Sequence, residues 1–439
     1  MEKGNKRVVN AWAFYDWANS VYPLVVSTSI FPIFYETVTG ASPLGIGKGP
    51  NQDLVSFLGF ELANTALYSF VVAASFIVVS FVSPILSGVA DYSGSKKGFL
   101  KFFCYLGAIS TATLYFFDAN HLEWSMLSIF FASIGFWNSL VFYNAYLPEI
   151  AEPKDHDRIS AKGFSMGYFG ASLLLIICLL LMGNLVPDLL PFKMPAKASF
   201  LLVALWWVGF SQITYRRLPA PKHFNKVTKE ILGNGFKELK KVWDFIKGTK
   251  QLKRYLFSFF VFSMGVQTIM LMAVLFAKKV VFTDGDSSGL IIAVLIIQFI
   301  AIPGAYLFSF LSKKIGNINT LIIALVVWVG VCVFAYAIVE SQMSFYMLAG
   351  VVGFVMGGTQ SLSRSTYSKF LPETEDTASF FSFFDITEKI GIVIGMVAFG
   401  VMESLFGDIR ASVLALIVFF IVGVLLLFRV PKLGDSLEG

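Results

Sequence analysis

Ala13-Phe14-Tyr15-Asp16-Trp17-Ala18-Asn19-Ser20 lies inside the first long apolar segment of the chain, at about residues 9–35. A segment of that length spans a bilayer, which takes about 20 apolar residues. Asp16 stands roughly seven residues in, so about 10 Å along a helix that rises about 1.5 Å per residue. A carboxylate at that depth is costly in hydrocarbon. It is tolerated where it faces a bundle interior, a water-filled cavity or a partner. The first helix therefore carries a polar face (Asp16, Asn19, Ser20, Ser27) on an otherwise apolar rod. The plainer alternative puts Asp16 in an N-terminal turn at the membrane surface, and it gains if the helix starts near Trp12 rather than Val9.

The composition agrees with a polytopic membrane protein. Of 439 residues, 56% are hydrophobic and 14% charged, with a mean hydropathy of +0.73. A soluble domain carries about 25% charged residues. The basic start, Met1 to Arg7, leads into an apolar segment too long for the core of a signal peptide, so it reads as the first span. Cys104, Cys178 and Cys332 all fall in apolar segments and read as packing residues. His121, His156 and His223 read as loop residues without ligand spacing, so no metal is expected. No nucleophile–base arrangement or Gly-rich phosphate loop stands out, and neither an enzyme nor a cofactor is expected. The net charge of +6 does not signal nucleic acid, because the basic residues gather in alternate loops as topology requires.

Twelve apolar segments follow one another, at approximately 9–35, 62–89, 99–117, 124–148, 162–185, 197–217, 255–281, 287–311, 319–339, 343–370, 379–403 and 409–429. Basic residues crowd the tail before the first segment and every second loop: Lys96, Lys97 and Lys101; Lys154, Arg158 and Lys162; the loop 218–254; Lys313 and Lys314; Lys369; Arg429 and Lys432. This bias puts both termini in the cytoplasm, and in a bacterium the protein in the inner membrane. The loop 218–254 divides the chain into six-helix bundles, residues 1–217 and 255–439. Within it Phe236, Leu239, Val242, Trp243 and Ile246 fall at helical spacing with lysines between, as expected of an amphipathic helix on the cytoplasmic membrane face. The simpler reading is a linker helix that joins the halves and binds nothing.

The halves look like repeats. Tyr146-Leu147-Pro148-Glu149 matches Phe370-Leu371-Pro372-Glu373, and Phe164-Ser165 matches Phe381-Ser382. Gly163/Gly167 and Gly391/Gly395 give the next helix of each half a small-residue row that lets helices approach closely. Parallel six-helix repeats build many secondary transporters, with the solute site between the halves.

Charges inside the spans mark the candidate site: Asp16, Arg364, Asp385, Glu388 and Lys389. Asp385 shares a helix face with Glu388 and Lys389, three and four residues on. Arg364 is expected to reach one of these carboxylates, because an unpaired guanidinium in a bundle is costly. The set reads either as an ion-pair network that breaks and remakes as the halves rock, or as a site for a proton and a substrate carboxylate. Polar faces recur on helices 4 (Asn138, Ser139, Asn144), 7 (Gln267, Thr268) and 10 (Gly357 to Ser361, Ser363). They are expected if helices 1, 4, 7 and 10 line a cavity, and helix–helix hydrogen bonding is the alternative.

The loop Ser87-Gly88-Val89-Ala90-Asp91-Tyr92-Ser93-Gly94-Ser95-Lys96-Lys97 resembles the loop signature of the major facilitator superfamily, with Ser87 at the first glycine position. Asp91 can hold the N-terminus of a neighbouring helix by charge–dipole attraction, while Lys96 and Lys97 anchor the loop. In that superfamily the loop acts as a conformational latch. The second-half counterpart, Ser312-Lys313-Lys314-Ile315-Gly316, has no Asp, so the latch should be asymmetric.

Phe14-Tyr15-Asp16-Trp17-Ala18-Asn19-Ser20 resembles the first-helix signature of the vacuole-effluxer-like, autophagy-related branch of that superfamily. Leu147 to Ala151, Gly265 to Thr268 and Gly357 to Ser365 are similar to it as well. Met264 stands where many members carry an acidic residue before the helix 7 glycine. The resemblance implies an all-α fold of twelve transmembrane helices and solute transport by alternating access, with amino acids exported in the fungal branch. The reading is a monomeric secondary transporter of a small polar solute, coupled to protons or driven by the solute's own gradient. Asp16 would bind a proton or an ammonium, Asn19, Gln267 and Gln360 would supply polar contacts, and Arg364 would hold an anion or an ion pair. A broad-specificity drug antiporter and a non-transporting membrane receptor are the rivals.

Overall fold

The computed structural model describes residues 3–41, 45–47, 53–184, 193–219, 231–282 and 287–431. Long apolar runs satisfy their backbone in hydrocarbon by forming helices. Among the described residues twelve helices are long and apolar enough to cross a membrane: Lys6–Thr39, Asn64–Ser93, Lys96–Phe116, Leu122–Ile150, Pro153–Met182, Ala198–Arg217, Lys250–Val280, Gly289–Ile315, Asn317–Ala337, Gln342–Phe370, Thr377–Phe406 and Ile409–Leu427. They are spans 1 to 12 below. Each coincides with an expected segment and most run a few residues further. A small hairpin, Leu54–Phe57 with Phe60–Ala63, precedes span 2 and was not expected.

Span 1 is not one regular helix. It is α-helical over Lys6–Asn19, π-helical over Tyr22–Ile30 and α-helical again over Phe31–Thr39. Pro23 and Pro32 cannot donate backbone hydrogen bonds, and the Thr28 hydroxyl donates to the Pro23 carbonyl at 2.8 Å. Widened turns of this kind recur at functional sites, and Asn19 closes the segment just before this one.

Packing repeats between the halves. In the first half spans 1–5, 1–6, 2–4, 3–4 and 3–6 pack together, and in the second spans 7–11, 7–12, 8–10, 9–10 and 9–12 do so. Adding six to each number in the first set gives the second. The two glycine rows explain one of these pairs. A Cβ on Gly163 would lie 2.5 Å from Asp16 Oδ2, and one on Gly167 would lie 2.5 Å from Ser20 Oγ. On Gly391 it would meet Ser263 Oγ at 2.8 Å, and on Gly395 the Met264 carbonyl at 2.5 Å. Glycine thus brings span 5 onto span 1 and span 11 onto span 7. The halves meet through spans 2 and 11, 5 and 8, 4 and 11, and 5 and 10.

Twelve spans bring both ends of the chain and the turns after even-numbered spans to one face. There the Gly4 N–H donates to the Ile150 carbonyl at 2.8 Å. Arg254 donates to the Arg429 carbonyl at 2.7 Å. The helix Ile231–Gly248 lies on this linker face, while residues 220–230, His223 among them, and Lys432 fall outside the described residues. Its apolar stripe was expected to rest on the membrane. Instead Leu239, Val242 and Ile246 are buried and the helix packs on span 2, with Trp243 stacked on Phe383 of span 11. The end of span 2 offers apolar surface nearer than lipid. His156, expected in a loop, is buried as the first residue of the helix in span 5.

Candidate functional site

Arg364 on span 10 and Asp16 on span 1 are buried against each other across the two halves. Guanidinium Nη1 and Nη2 donate to Asp16 Oδ2 at 3.2 and 3.3 Å. The Tyr143 hydroxyl donates to the same oxygen at 2.8 Å. The remaining guanidinium donors reach Ser160 Oγ at 2.9 Å, the Ser160 carbonyl at 3.0 Å and Asn144 Oδ1 at 3.2 Å. All five N–H groups of Arg364 are thus used. Its flat cation also faces the rings of Phe164 at 4.1 Å and Trp12 at 4.9 Å, a favourable arrangement. The expectation that Arg364 reaches a span 11 carboxylate is corrected: its partner is Asp16. Gly163 is the physical reason, since a side chain there would fill the space the pair occupies, with a Cβ 2.9 Å from Arg364 Nη2.

The span 11 charges form a second cluster. Lys389 Nζ, buried, bonds Asp385 Oδ1 at 2.8 Å and Glu388 Oε2 at 3.4 Å. Gln267 of span 7 donates to Glu388 Oε1 at 2.6 Å. Lys389 Nζ also sits 3.6 Å from the ring centroid of Trp137, which belongs to span 4 in the other half.

At the linker face, Asp91 accepts from the Ala378 N–H at 3.2 Å and the Ser379 N–H at 2.7 Å. These are open donors of the first turn of span 11. Lys96 lies 3.6 Å from Asp91 and bonds Glu149, with Thr377 Oγ1 at 2.9 Å. Lys97 does not join them; it donates to the Leu218 carbonyl at 3.0 Å. The second seam has its own carboxylate, which the sequence reading overlooked. Asp157 on span 5 accepts from Ser312 Oγ at 2.7 Å, Asn317 Nδ2 at 2.8 Å and Lys369 Nζ at 2.6 Å.

Gln360 accepts from the Tyr168 hydroxyl at 2.6 Å, another link between the halves. Asn19 is buried, and its Nδ2 has no hydrogen-bond partner among the described residues. Asn138 and Ser139 are buried and donate to carbonyls of their own helix, Ile134 and Phe136. Tyr143, Ser160 and Phe164 complete the Arg364 site and were not singled out for it. Ser160, Gly163 and Gly167 stand three and four residues apart, so they share one face of span 5, a signal that could have marked it. No group of three or more His, Cys, Asp or Glu side chains is gathered for a metal among the described residues.

The family described as "Vacuole effluxer Atg22 like" matches residues 4–433. YxiO of Bacillus subtilis (strain 168), described as an uncharacterized MFS-type transporter, is 31% identical over 427 residues, covering 96% of this chain and 94% of the relative. Autophagy-related protein 22-1 of Penicillium rubens is 23% identical over 561 residues, covering 99% and 93%. The crystal structure of the human organic anion transporter MFSD10 (TETRAN) superposes with a TM-score of 0.70 at 11% identity, over 97% of this chain and 100% of the other.

Proposed function

We propose that this chain, which belongs to the vacuole effluxer Atg22-like family, carries a small zwitterionic solute of the amino-acid class across a membrane. It is a major facilitator-type transporter and not an enzyme. The observation that carries the reading is the Asp16–Arg364 pair. It is buried, it uses every donor of Arg364, three hydrogen bonds converge on Asp16 Oδ2, and it is made of one residue from each half. It therefore cannot survive the parting of the halves on that face. When it parts, a carboxylate and a guanidinium are left without charge partners in a low-dielectric path, which is unfavourable. A solute with an ammonium and a carboxylate can satisfy both, with Asn19 and Gln360, one turn from Asp16 and Arg364, adding neutral polar contacts, while Gln267 stands at the span 11 cluster. The vacuole-effluxer description of the family supports export of a solute.

The distribution of basic turns supports a cytoplasmic linker face, and with that orientation the bonds at Asp91, Asp157 and Arg364 fit a carrier closed inward. Asp91 and Lys96 serve as the conformational latch, and Lys97 steadies the end of span 6. Residues 1–217 and 255–439 are the moving bundles, joined by 218–254, in a monomer in the plasma membrane. Movement of the solute is coupled to protons.

Reconstitution of the purified protein in liposomes tests this, with uptake of each labelled amino acid measured with and without an imposed pH gradient. Accumulation that requires the gradient supports the reading. Absence of uptake for every amino acid removes the proposed cargo.

A further inference from the structure

The charges on span 11 do not balance. Asp385 and Glu388 bring two carboxylates and Lys389 one ammonium, so a fully ionised cluster keeps one uncompensated negative charge. Among the described residues no second cation is paired with either carboxylate. The cluster is largely buried: the Lys389 side chain is 1% exposed, that of Asp385 9% and that of Glu388 20%. Two like charges in such a place disfavour full ionisation, and an unpaired buried charge is costly. Moreover, Asp385 Oδ2 is buried and has no hydrogen-bond partner among the described residues, although its sister oxygen holds Lys389. One carboxyl oxygen of the cluster thus stands unbonded where a proton would neutralise the excess.

The helices packed on span 11 do not supply the missing charge. Span 4 contributes the Trp137 ring and span 7 the neutral Gln267. Span 2 and the linker helix offer Asp91 and Lys241, but these are engaged near its first turn, at Ser379 and Asp376. Asp91 is thus roughly 10 Å along the axis from Asp385. At the far end Lys279 is paired with Glu403, roughly 22 Å along the axis from Glu388. Arg410, in the helix after span 11, donates to the Tyr336 and Val339 carbonyls.

We propose that span 11 carries a proton-binding site in which Asp385 and Glu388 share one proton beside Lys389, and that the contact of Lys389 with Trp137 couples its occupancy to movement of the halves. Binding forms one O–H bond on a carboxylate oxygen. The proton comes from hydronium and leaves water behind. Trp137 lies across the interface, so the ammonium loses its ring as spans 4 and 11 separate and must lean more on the carboxylates. A proton held by them in one state is thereby released in the other. This rests on the transporter reading and names the proton's seat, distinct from the Asp16–Arg364 pair.

The test uses the full-length protein in liposomes without any solute. Dicyclohexylcarbodiimide, an apolar reagent that modifies protonated carboxyl groups, is applied between about pH 5 and about pH 9, the window in which a carboxyl in an apolar site changes state. Peptide mass spectrometry locates the adduct. An adduct on Asp385 or Glu388, at least about fivefold more abundant at the acid end, is expected, and Asp16→Asn should not remove it. In parallel, pH-difference infrared spectra should show a protonated-carboxyl band that is lost in Asp385→Asn/Glu388→Gln. Absence of an adduct at both residues in the unaltered chain overturns the proposal, as does a band that persists in the double variant or disappears only in Asp16→Asn. Neither readout involves a cargo. Failure to find a transported amino acid would therefore unseat the solute reading and leave this site standing.

Discussion

Replacing Asp16 by asparagine keeps the shape of the side chain and removes its charge. In the native protein Asp16 Oδ2 receives two guanidinium bonds and the Tyr143 hydroxyl. In the variant the amide oxygen can keep Tyr143, while Arg364 retains its two bonds to Ser160 and one to Asn144. A buried cation is then left without its anion, which costs about 3–5 kcal/mol. That cost falls on the state closed at the linker face, because only there is the pair assembled. At about 1.4 kcal/mol per tenfold, the balance should move toward the open state by about two to three and a half orders of magnitude. Ser361→Cys reports it. Ser361 is fully buried and its carbonyl accepts the Ser160 hydroxyl at 2.8 Å across the halves. The three native cysteines are buried and give little background. A membrane-impermeant maleimide added from the linker face should label the Asp16→Asn protein about a hundredfold faster. Adding Arg364→Gln should restore most of the protection, since the stranded cation is gone. Labelling within about threefold of the parent, or a double variant as labile as the sum of the singles, would refute the assignment of the pair as a gate.

Asp91→Asn removes a carboxylate from the N-terminus of span 11, an interaction worth about 0.3–2 kcal/mol, so the same labelling assay should show a rise of up to about thirtyfold, smaller than for Asp16→Asn. Asp157→Asn strands Lys369 beside Asn317 and should lower the thermal midpoint of the purified protein by several degrees, at a cost of about 3–5 kcal/mol; an unchanged midpoint would count against a structural role. Gly395→Ala sets a methyl 2.5 Å from the Met264 carbonyl, an overpacking cost of about 1–3 kcal/mol that scanning calorimetry should detect. Lys241→Ala removes an exposed pair with Asp376 and should stay within about 0.5 kcal/mol of the parent, which denaturation in detergent can check.

The spans were legible because hydrocarbon imposes one rule on every residue of a crossing helix, so twelve apolar runs are enough to count them. The glycine pairs were legible for a similar reason: two glycines four apart on one helix can only serve close approach. Which helix approaches is not written in the sequence. Gly163 faces span 1 and so delivers Asp16 to Arg364, whereas the i,i+4 spacing of Asp385 and Lys389 drew attention to span 11 as the place for the guanidinium. Spacing along one helix reports shared faces and is silent on partners roughly 200 residues away. Asp157 was missed on the same grounds. It sits beside Lys154 and Arg158, where a carboxylate looks like ordinary surface charge, and its burial follows from the docking of spans 8, 9 and 10.

Asp91 and Asp157 together change what an asymmetric latch means here. Each lies where the chain passes the linker face, Asp91 near the end of span 2 and Asp157 near the start of span 5, and both reach into the second half. The turn after span 8 lacks the acidic residue that the turn after span 2 carries, yet its seam is not without one, because Asp157 enters from the opposite side. The packing of the halves is two-fold in character, seam 2–11 matching seam 5–8. The chemistry is not, since both carboxylates belong to the first half and both sets of donor groups to the second. In each case a lysine stands at the same carboxylate: Lys96 in cis on the first half, Lys369 in trans on the second. Opening the face must therefore break a charge-to-backbone cap and the Lys96 bonds to Thr377 and the Glu375 carbonyl at one seam, and a cross-interface ion pair at the other. Stranding one member of that pair leaves a buried charge, at about 3–5 kcal/mol, against about 0.3–2 kcal/mol for the helix-terminus cap. The 5–8 seam, and not the loop with the recognisable signature, should set the barrier to inward opening.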